Sequence, residues 1–219
     1  MIPLSEKFVS VQGEGPFAGT PAVFIRTAYC NLHCEWCDAW YTWDHTRTNI
    51  KEDAPRVDLK ELAIWTNSQK PKLVVITGGE PLLWDKELSW FVASLKDEKQ
   101  VQFETNGTRK PHFLAPYRKI KWVVSPKINT RDDFNKCIKP EVLEWFKKEG
   151  AHFKFVVETT KDINLVKSFN LPNTWIMSKA TTPQELDLSL AWMLNECIKN
   201  GWRYSDRLHI RAYGDKRGT

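Results

Sequence analysis

Eight short runs rich in valine, isoleucine and phenylalanine are spaced along the chain, and helix-favouring stretches separate most of them. The runs predicted as strands are Phe8 to Gln12, Ala22 to Thr27, Leu73 to Thr77, Val101 to Glu104, Trp122 to Ser125, Phe153 to Glu158, Trp175 to Met177 and Leu208 to Ala212. Strands that alternate with helices form βα units with parallel strands. The alternation predicts an α/β fold, and by itself it does not distinguish an open sheet from a closed barrel.

The clearest predicted helix ends at Gly201. Thr182 and Glu185 have the spacing of a capping box at its start, and glycine commonly ends a helix. Its apolar residues repeat at the spacing of one helical face: Leu186, Leu190, Met193, Leu194 and Cys197. Weaker helices are predicted at Asp58 to Ser68, Asp85 to Lys96, Pro140 to Lys148 and Asp162 to Phe169, and a long loop at Tyr41 to Arg56.

The length of 219 residues predicts a single domain over residues 1–219. With 42% hydrophobic and 27% charged residues, the composition is typical of a globular protein and excludes disorder. No apolar run approaches a membrane span, and no signal-peptide pattern opens the chain, so we expect a cytoplasmic protein. The net charge of +5 is spread along the chain, which argues against stable nucleic-acid binding.

Cys30, Cys34 and Cys37 form a Cys-x3-Cys-x2-Cys cluster directly after a predicted strand. Three thiolates on one short loop can bind an iron-sulfur cluster. They can also bind structural zinc, for which His33 would be the nearest fourth ligand. The spacing alone leaves both interpretations open.

A second motif, Gly78-Gly79-Glu80, directly follows the predicted strand Leu73 to Thr77. Glycine at a strand end lets a ligand approach the backbone, and Glu80 offers a carboxylate to an ammonium group. Alone, this motif would indicate only a tight turn. Together with the cysteines, it resembles the radical S-adenosylmethionine enzymes.

That resemblance implies that the three cysteines hold a 4Fe-4S cluster and leave one iron without a protein ligand. S-adenosylmethionine binds this iron through its methionine amino and carboxylate groups, and the Gly-Gly-Glu motif holds the amino group. One electron from the cluster then cleaves the cofactor, and the resulting 5′-deoxyadenosyl radical takes a hydrogen atom from the substrate. The protein supplies orientation and excludes competing reactions.

Further motifs narrow the resemblance to one family within this superfamily. They are Phe8 to Gly15, Gly19 to Arg26, Cys30 to Asp38, Glu104 to Thr108, Ser125 to Lys127 and Tyr213 to Thr219. Essentially from end to end, the chain resembles the 7-carboxy-7-deazaguanine synthases of deazapurine (queuosine-type) biosynthesis. These enzymes convert 6-carboxy-5,6,7,8-tetrahydropterin to 7-carboxy-7-deazaguanine with loss of ammonia. The implied fold is a partial, open TIM-like βα barrel with about six core parallel strands and a reduced helix complement.

The resemblance also implies site residues. The cofactor pocket would contain Gly78, Gly79, Glu80, Ser125, Lys127, Met177, Ser178, Lys179 and Ala180. The pterin would contact Val11, Gln12, Gly13, Glu14, Arg26, Thr77 and the terminal carboxylate of Thr219. Arg26 suits a bidentate clamp on the substrate carboxylate, although taken alone it would indicate a salt bridge at a strand end. A frayed tail is the alternative for Thr219.

One residue departs from the family pattern. The family has Thr or Ser after the Cys-Asp pair, where the hydroxyl helps to bind magnesium, whereas this chain has Ala39. A methyl group cannot bind a cation that requires oxygen ligands, so we expect weak magnesium dependence. The resemblance further implies a homodimer and a flavodoxin-like electron donor. The competing functions are an activase acting on a partner protein and a non-enzymatic zinc module.

Overall fold

The computed structural model describes residues 1–113 and 120–219. Their strands form one nine-stranded sheet with the order β3-β1-β2-β4-β5-β6-β7-β8-β9. The strands are β1 (Ile2–Val11), β2 (Pro21–Thr27), β3 (Arg56–Val57), β4 (Leu73–Gly78), β5 (Gln100–Thr105), β6 (Lys121–Val124), β7 (His152–Val157), β8 (Thr174–Ser178) and β9 (Arg203–Tyr204).

Six strands, β2 and β4 to β8, form the parallel core of this sheet. They pair in chain order, and the two-residue β9 extends the parallel part at one edge. At the other edge, β1 runs antiparallel to β2, and β3 runs antiparallel to β1. Because the strand order has two free ends, the sheet is open. The prediction of a partial barrel with about six parallel core strands is confirmed.

The described residues contain five helices of nine residues or more, consistent with the predicted reduced complement. These are α2 (Leu59–Ser68), α3 (Asp85–Ala93), α5 (Pro140–Lys148), α6 (Thr160–Ser168) and α7 (Pro183–Asn200); the shorter ones are α1 (Ile50–Asp53), α4 (Phe134–Cys137) and α8 (Leu208–Tyr213). As predicted, Thr182 and Glu185 form a capping box on α7, which ends at Gly201 with φ 67°. In the described part of the chain, no helix is long and apolar enough to cross a membrane.

The two faces of the sheet have different chemistry because successive side chains of a strand point to opposite faces. Residues such as Ile25, Ile76 and Phe103 are fully buried in the main hydrophobic core, which also includes helix residues. The next residue along the strand in each case lies on the other face: Arg26, Thr77 and Glu104. The polar ends of the strands therefore meet on the face that the main core leaves uncovered.

Two predicted segments differ from the structure. The segment Leu208–Ala212, predicted as a strand, lies in helix α8. Its alternating apolar residues fit a strand, but over five residues this pattern cannot exclude a short helix, and only Ile210 of α8 is buried. The segment from Tyr41 to Arg56, predicted as a loop, contains α1 and reaches the first residue of β3.

Candidate active site

A cavity of about 220 Å³ lies at the carboxyl ends of the parallel strands. It brings together most of the residues predicted for the site. Those lining it are Val11, Gln12, Gly13, Glu14, Arg26, Cys30, Cys34, Cys37, Thr77, Gly78, Gly79, Ser125, Lys127, Met177, Ser178 and Lys179. Glu80, Ala180 and Thr219 are not among the lining residues.

The cysteine loop and the Gly-Gly loop pack directly against each other. Tyr29 adopts φ 71°, and its carbonyl accepts a 2.8 Å hydrogen bond from the Glu80 amide. A Cβ atom on Gly79 would lie 2.1 Å from this carbonyl oxygen, so only glycine fits there without displacing the cysteine loop. The Cys30 Sγ accepts a 3.4 Å hydrogen bond from the Leu32 amide. The Gly-Gly motif thus helps to place the first cysteine.

Glu80 is fully buried beneath the cavity and has protein partners for both carboxylate oxygens. Oε1 accepts hydrogen bonds from the Leu82 amide (2.9 Å) and the Thr105 hydroxyl (2.8 Å). Oε2 accepts a 2.7 Å hydrogen bond from the Asn106 amide. Burial raises the pKa of Glu80 despite these donors. In this arrangement the carboxylate holds the loop after β5, and its predicted contact with an ammonium group stays a prediction.

The thiol groups suit a cluster better than a closed zinc site. Burial raises the pKa of Cys30 to about 12 and also raises the pKa values of Cys34 and Cys37, so a bound cationic centre is needed to hold them as thiolates. The His33 side chain is 61% exposed, lies 3.8 Å from Asp132 and does not line the cavity that the three cysteines line. Among the described residues, no three His, Cys, Asp or Glu side chains surround a single-ion site. Three cysteines that line one cavity fit an iron-sulfur cluster with one open iron.

The residues after β6 form part of the cavity wall and include a lysine that has no carboxylate partner among the described residues. Lys127 donates a 3.0 Å hydrogen bond to the Ser125 hydroxyl, and its ammonium lies 5.4 Å from the Trp36 ring centroid. Trp36, between two of the cluster cysteines in the sequence, lines the cavity together with Trp43. Lys127 therefore offers a positive charge to an anionic ligand.

Another part of the cavity lining contains Glu104, which the sequence singled out only as part of a motif. Its carboxylate accepts hydrogen bonds from the Gln12 side-chain amide (3.0 Å) and the Thr77 hydroxyl (3.1 Å). Nearby, the Arg26 Nε donates to Glu6 at 3.0 Å. Glu6 also pairs with Arg217 at 3.0 Å, which places the chain end close to Arg26 although Thr219 does not line the cavity.

Three further lining residues, Lys154, Arg207 and His209, were not predicted. Lys154 and Arg207 bind opposite oxygens of Glu14, at 2.5 and 2.9 Å. Burial opposes ionisation of Glu14, but these two cations outweigh it and hold the Glu14 pKa well below its usual range. The only sequence signal for Lys154 is its charge within the apolar run of β7. Arg207 and His209 fall in or beside the segment wrongly predicted as a strand.

Known proteins similar to this chain belong to the superfamily that the cysteine motif resembles. The radical SAM superfamily model matches residues 24–177. The chain is 32% identical to a 7-carboxy-7-deazaguanine synthase from Pyrobaculum aerophilum, over 97% of this chain and 95% of the relative. It is 35% identical to another from Hyperthermus butylicus, over 94% and 90%. The crystal structure of QueE from Escherichia coli is similar at a TM-score of 0.70 and 25% identity, covering 95% and 94% of the two chains. These matches agree with the three thiols and polar side chains that share one cavity. The chain belongs to the 7-carboxy-7-deazaguanine synthase family of radical S-adenosylmethionine enzymes.

Proposed function

We propose that the chain converts 6-carboxy-5,6,7,8-tetrahydropterin to 7-carboxy-7-deazaguanine with loss of ammonia. One observation carries the proposal: the same cavity is lined by Cys30, Cys34 and Cys37, here called the cysteine end, and by charged and hydrogen-bonding side chains such as Glu14, Arg26 and Glu104, here called the substrate end. A radical enzyme must hold its cofactor and a small acidic heterocycle side by side, and this cavity offers suitable groups for both.

As a radical S-adenosylmethionine enzyme, the protein uses S-adenosylmethionine and a 4Fe-4S cluster. Cys30, Cys34 and Cys37 would hold the cluster, which when bound supplies the electron that cleaves the cofactor. Lys127 is suited to pair with the methionine carboxylate, because it lines the cavity without a carboxylate partner in the described residues. The close packing of Gly79 against Tyr29 keeps the cofactor loop beside the cysteine loop.

The substrate end offers complementary groups for a carboxypterin. The Arg26 Nε is bound to Glu6, and its two terminal nitrogens have no hydrogen-bond partner among the described residues, which leaves them for the substrate carboxylate. The Glu104 carboxylate accepts hydrogen bonds and donates none, so it suits the N–H groups of an aminopyrimidine ring. Gln12 and Thr77 orient this carboxylate.

The residues near the expected magnesium position offer that ion few oxygen ligands. Ala39 is buried and supplies no side-chain oxygen, and Asp38 Oδ2 is bound to Arg207. We therefore propose weak magnesium dependence. The homodimer, the flavodoxin-like donor and the pterin contact of Thr219 stay predictions from the resemblance. The single domain over residues 1–219 and the cytoplasmic location stay predictions from the length and the sequence pattern.

An anaerobic assay of the whole chain tests the proposed reaction. After reconstitution with iron and sulfide, the brown protein is incubated with dithionite, S-adenosylmethionine and the carboxypterin. Mass spectrometry should detect the deazapurine, and protein without iron and sulfide should give none. Cleavage of S-adenosylmethionine without any deazapurine would contradict the proposal, whereas a colourless zinc protein would exclude radical chemistry altogether.

A further inference from the structure

We propose that Arg207 is a positioning residue that couples the substrate-binding turn, residues 12–15, to the end of the cysteine loop. The inference rests on the proposed function and adds a residue that acts through its partners. Arg207 lies between β9 and α8, far along the chain from both segments. It is 4% exposed although it carries a full positive charge.

The guanidinium of Arg207 binds three separate segments with three different nitrogens. Nε donates to Glu14 Oε1 at 2.9 Å, and Nη2 donates to Asp38 Oδ2. Nη1 donates to the Ala180 carbonyl, just after β8, at 2.7 Å. A planar guanidinium can satisfy three partners in fixed directions, whereas a lysine ammonium is a flexible point charge on a longer run of single bonds. The position therefore requires arginine rather than any cation.

The charges around Arg207 are balanced. Two cations, Arg207 and Lys154, face two carboxylates, Glu14 and Asp38. His209 also approaches Glu14, at 3.8 Å, and burial lowers its pKa. The side chains of Glu14, Lys154 and Arg207 are mostly buried, whereas that of Asp38 is 48% exposed. Removing a buried partner leaves the others uncompensated, and they then move or take up water. Loss of Arg207 would release Asp38 and leave Glu14 with Lys154.

The segment that carries Arg207 also forms hydrogen bonds with the backbone of the substrate-binding turn. The Leu208 amide donates to the Gly13 carbonyl at 3.0 Å, and the Gly15 amide donates to the Ser205 hydroxyl at 2.8 Å. A Cβ atom on Gly13 would lie 2.1 Å from His209 Nδ1, so the turn and this segment are packed without space between them. The turn is thus held by residues 205–209 and not by its own strands alone.

This link joins the two ends of the cavity. Asp38 directly follows Cys37, and Glu14 lies in the turn assigned to the pterin, so Arg207 connects both through one rigid group. Hydrogen abstraction requires the reacting atoms to be placed closely, and a misplacement of about 1 Å can cost about 100-fold in rate. Without Arg207, cofactor cleavage should continue while the substrate is misaligned.

The test compares Arg207→Ala, Arg207→Lys and Asp38→Asn with the matched control Arg211→Ala. Arg211 lies four residues later, in α8, and pairs with Asp187 and Asp206, but it does not line the cavity. The measurements are the ratio of deazapurine to 5′-deoxyadenosine, the KM for the carboxypterin and the EPR spectrum of the reduced cluster with and without substrate. For Arg207→Ala we expect the ratio to fall about tenfold or more and the substrate-induced EPR change to be lost. The product ratios of Arg207→Lys and Asp38→Asn should lie between those of Arg207→Ala and Arg211→Ala.

A ratio, KM and EPR response equal to those of Arg211→Ala would overturn the inference, even if the melting temperature fell. Should Arg207→Ala fail to fold, Asp38→Asn decides, since it keeps the buried arginine and removes one charge from the link. An unchanged ratio in that variant would overturn the coupling role. If the wild type cleaves S-adenosylmethionine but forms no deazapurine, the proposed function is wrong and this inference fails with it.

Discussion

The two ends of the cavity are built differently. The cysteine end is formed by Cys30, Cys34 and Cys37 on one short loop, and its nearest support is the Gly-Gly loop after β4. The end proposed to bind the substrate joins residues that are far apart in the chain: Arg207 and Glu14 are 193 positions apart, and Lys154 and Glu14 are 140. The cysteine end can be recognised from the spacing of its residues in the sequence, whereas the substrate end is held together by ion pairs between distant residues.

The two ends also differ in charge. Burial keeps the thiols neutral until a cluster binds, whereas the substrate end already contains paired arginine, lysine and carboxylate groups. Changes at the first end should therefore stop all radical chemistry. Changes at the second should impair use of the pterin and leave cofactor cleavage intact.

The largest expected effect is that of Cys34→Ala. Two thiolates cannot replace the three that leave one iron open, so both deazapurine and 5′-deoxyadenosine should fall below detection. Iron content and the absorbance near roughly 400 nm measure the loss of the cluster. As a control, Cys197→Ala removes a buried thiol from α7 and should keep both products. Full cofactor cleavage in Cys34→Ala would contradict the expectation that changes at the cysteine end stop all radical chemistry.

Gly79→Ala should come next, because its methyl group would collide with the Tyr29 carbonyl, 2.1 Å away. We expect a loss of about 1–3 kcal/mol in the free energy of unfolding, together with weaker S-adenosylmethionine binding. The control Gly201→Ala has open space around it and a φ of 67°, so it should cost about 1 kcal/mol from backbone strain alone. Denaturant unfolding and calorimetric titration measure the two effects. Normal cofactor affinity in Gly79→Ala would show that the loop tolerates displacement.

Arg26→Ala should raise the KM for the carboxypterin about 10- to 100-fold, because it removes charged hydrogen bonds to the substrate carboxylate. Cleavage of S-adenosylmethionine should persist without forming product. Arg26→Lys keeps the charge and should recover part of the affinity. Steady-state kinetics with both products quantified separate these outcomes, and an unchanged KM would exclude Arg26 from substrate binding.

The pH dependence of stability tests the ion pairs of Glu14. Its pKa in the folded protein lies below the ordinary value of 4.5, so the ionised group stabilises the fold above that pH and loses this contribution as the pH falls below it. The difference in unfolding free energy between wild type and Glu14→Gln should therefore shrink by about 2 kcal/mol between about pH 7 and pH 3. Urea unfolding at both pH values measures this change. A constant difference would mean that Glu14 is not held by its two cations.

The smallest expected effect concerns magnesium. Chelation should lower turnover of the wild type by less than about twofold, because Ala39 offers no oxygen and Asp38 is bound to Arg207. Ala39→Thr restores a hydroxyl and should increase the response to magnesium. A large, saturable requirement in the wild type would contradict this expectation and would place the ion on other oxygens.

The sequence predicted the parallel strands and the cysteine loop because these follow local rules of periodicity and spacing. It predicted Gln12, Arg26 and Thr77 only through the resemblance to a family. It missed Lys154, Arg207 and His209 because an ion pair between distant segments leaves no local pattern. It also assigned Leu208–Ala212 to a strand, since five residues contain too little periodicity to identify a helix.

Local sequence patterns are sufficient to predict the parallel core strands, the long helices between them, the cluster of three thiols and the glycines beside it. Short-range backbone preferences and the requirement for several soft ligands on one loop are sufficient for these features. The contact of Glu80 with the loop after β5 and the contacts of Arg207 with Glu14 and Asp38 are visible in the folded chain alone. A buried charge requires an ion-pair partner, and the partners here are distant in the sequence. Their contact depends on the packing of the whole sheet, which no local pattern encodes.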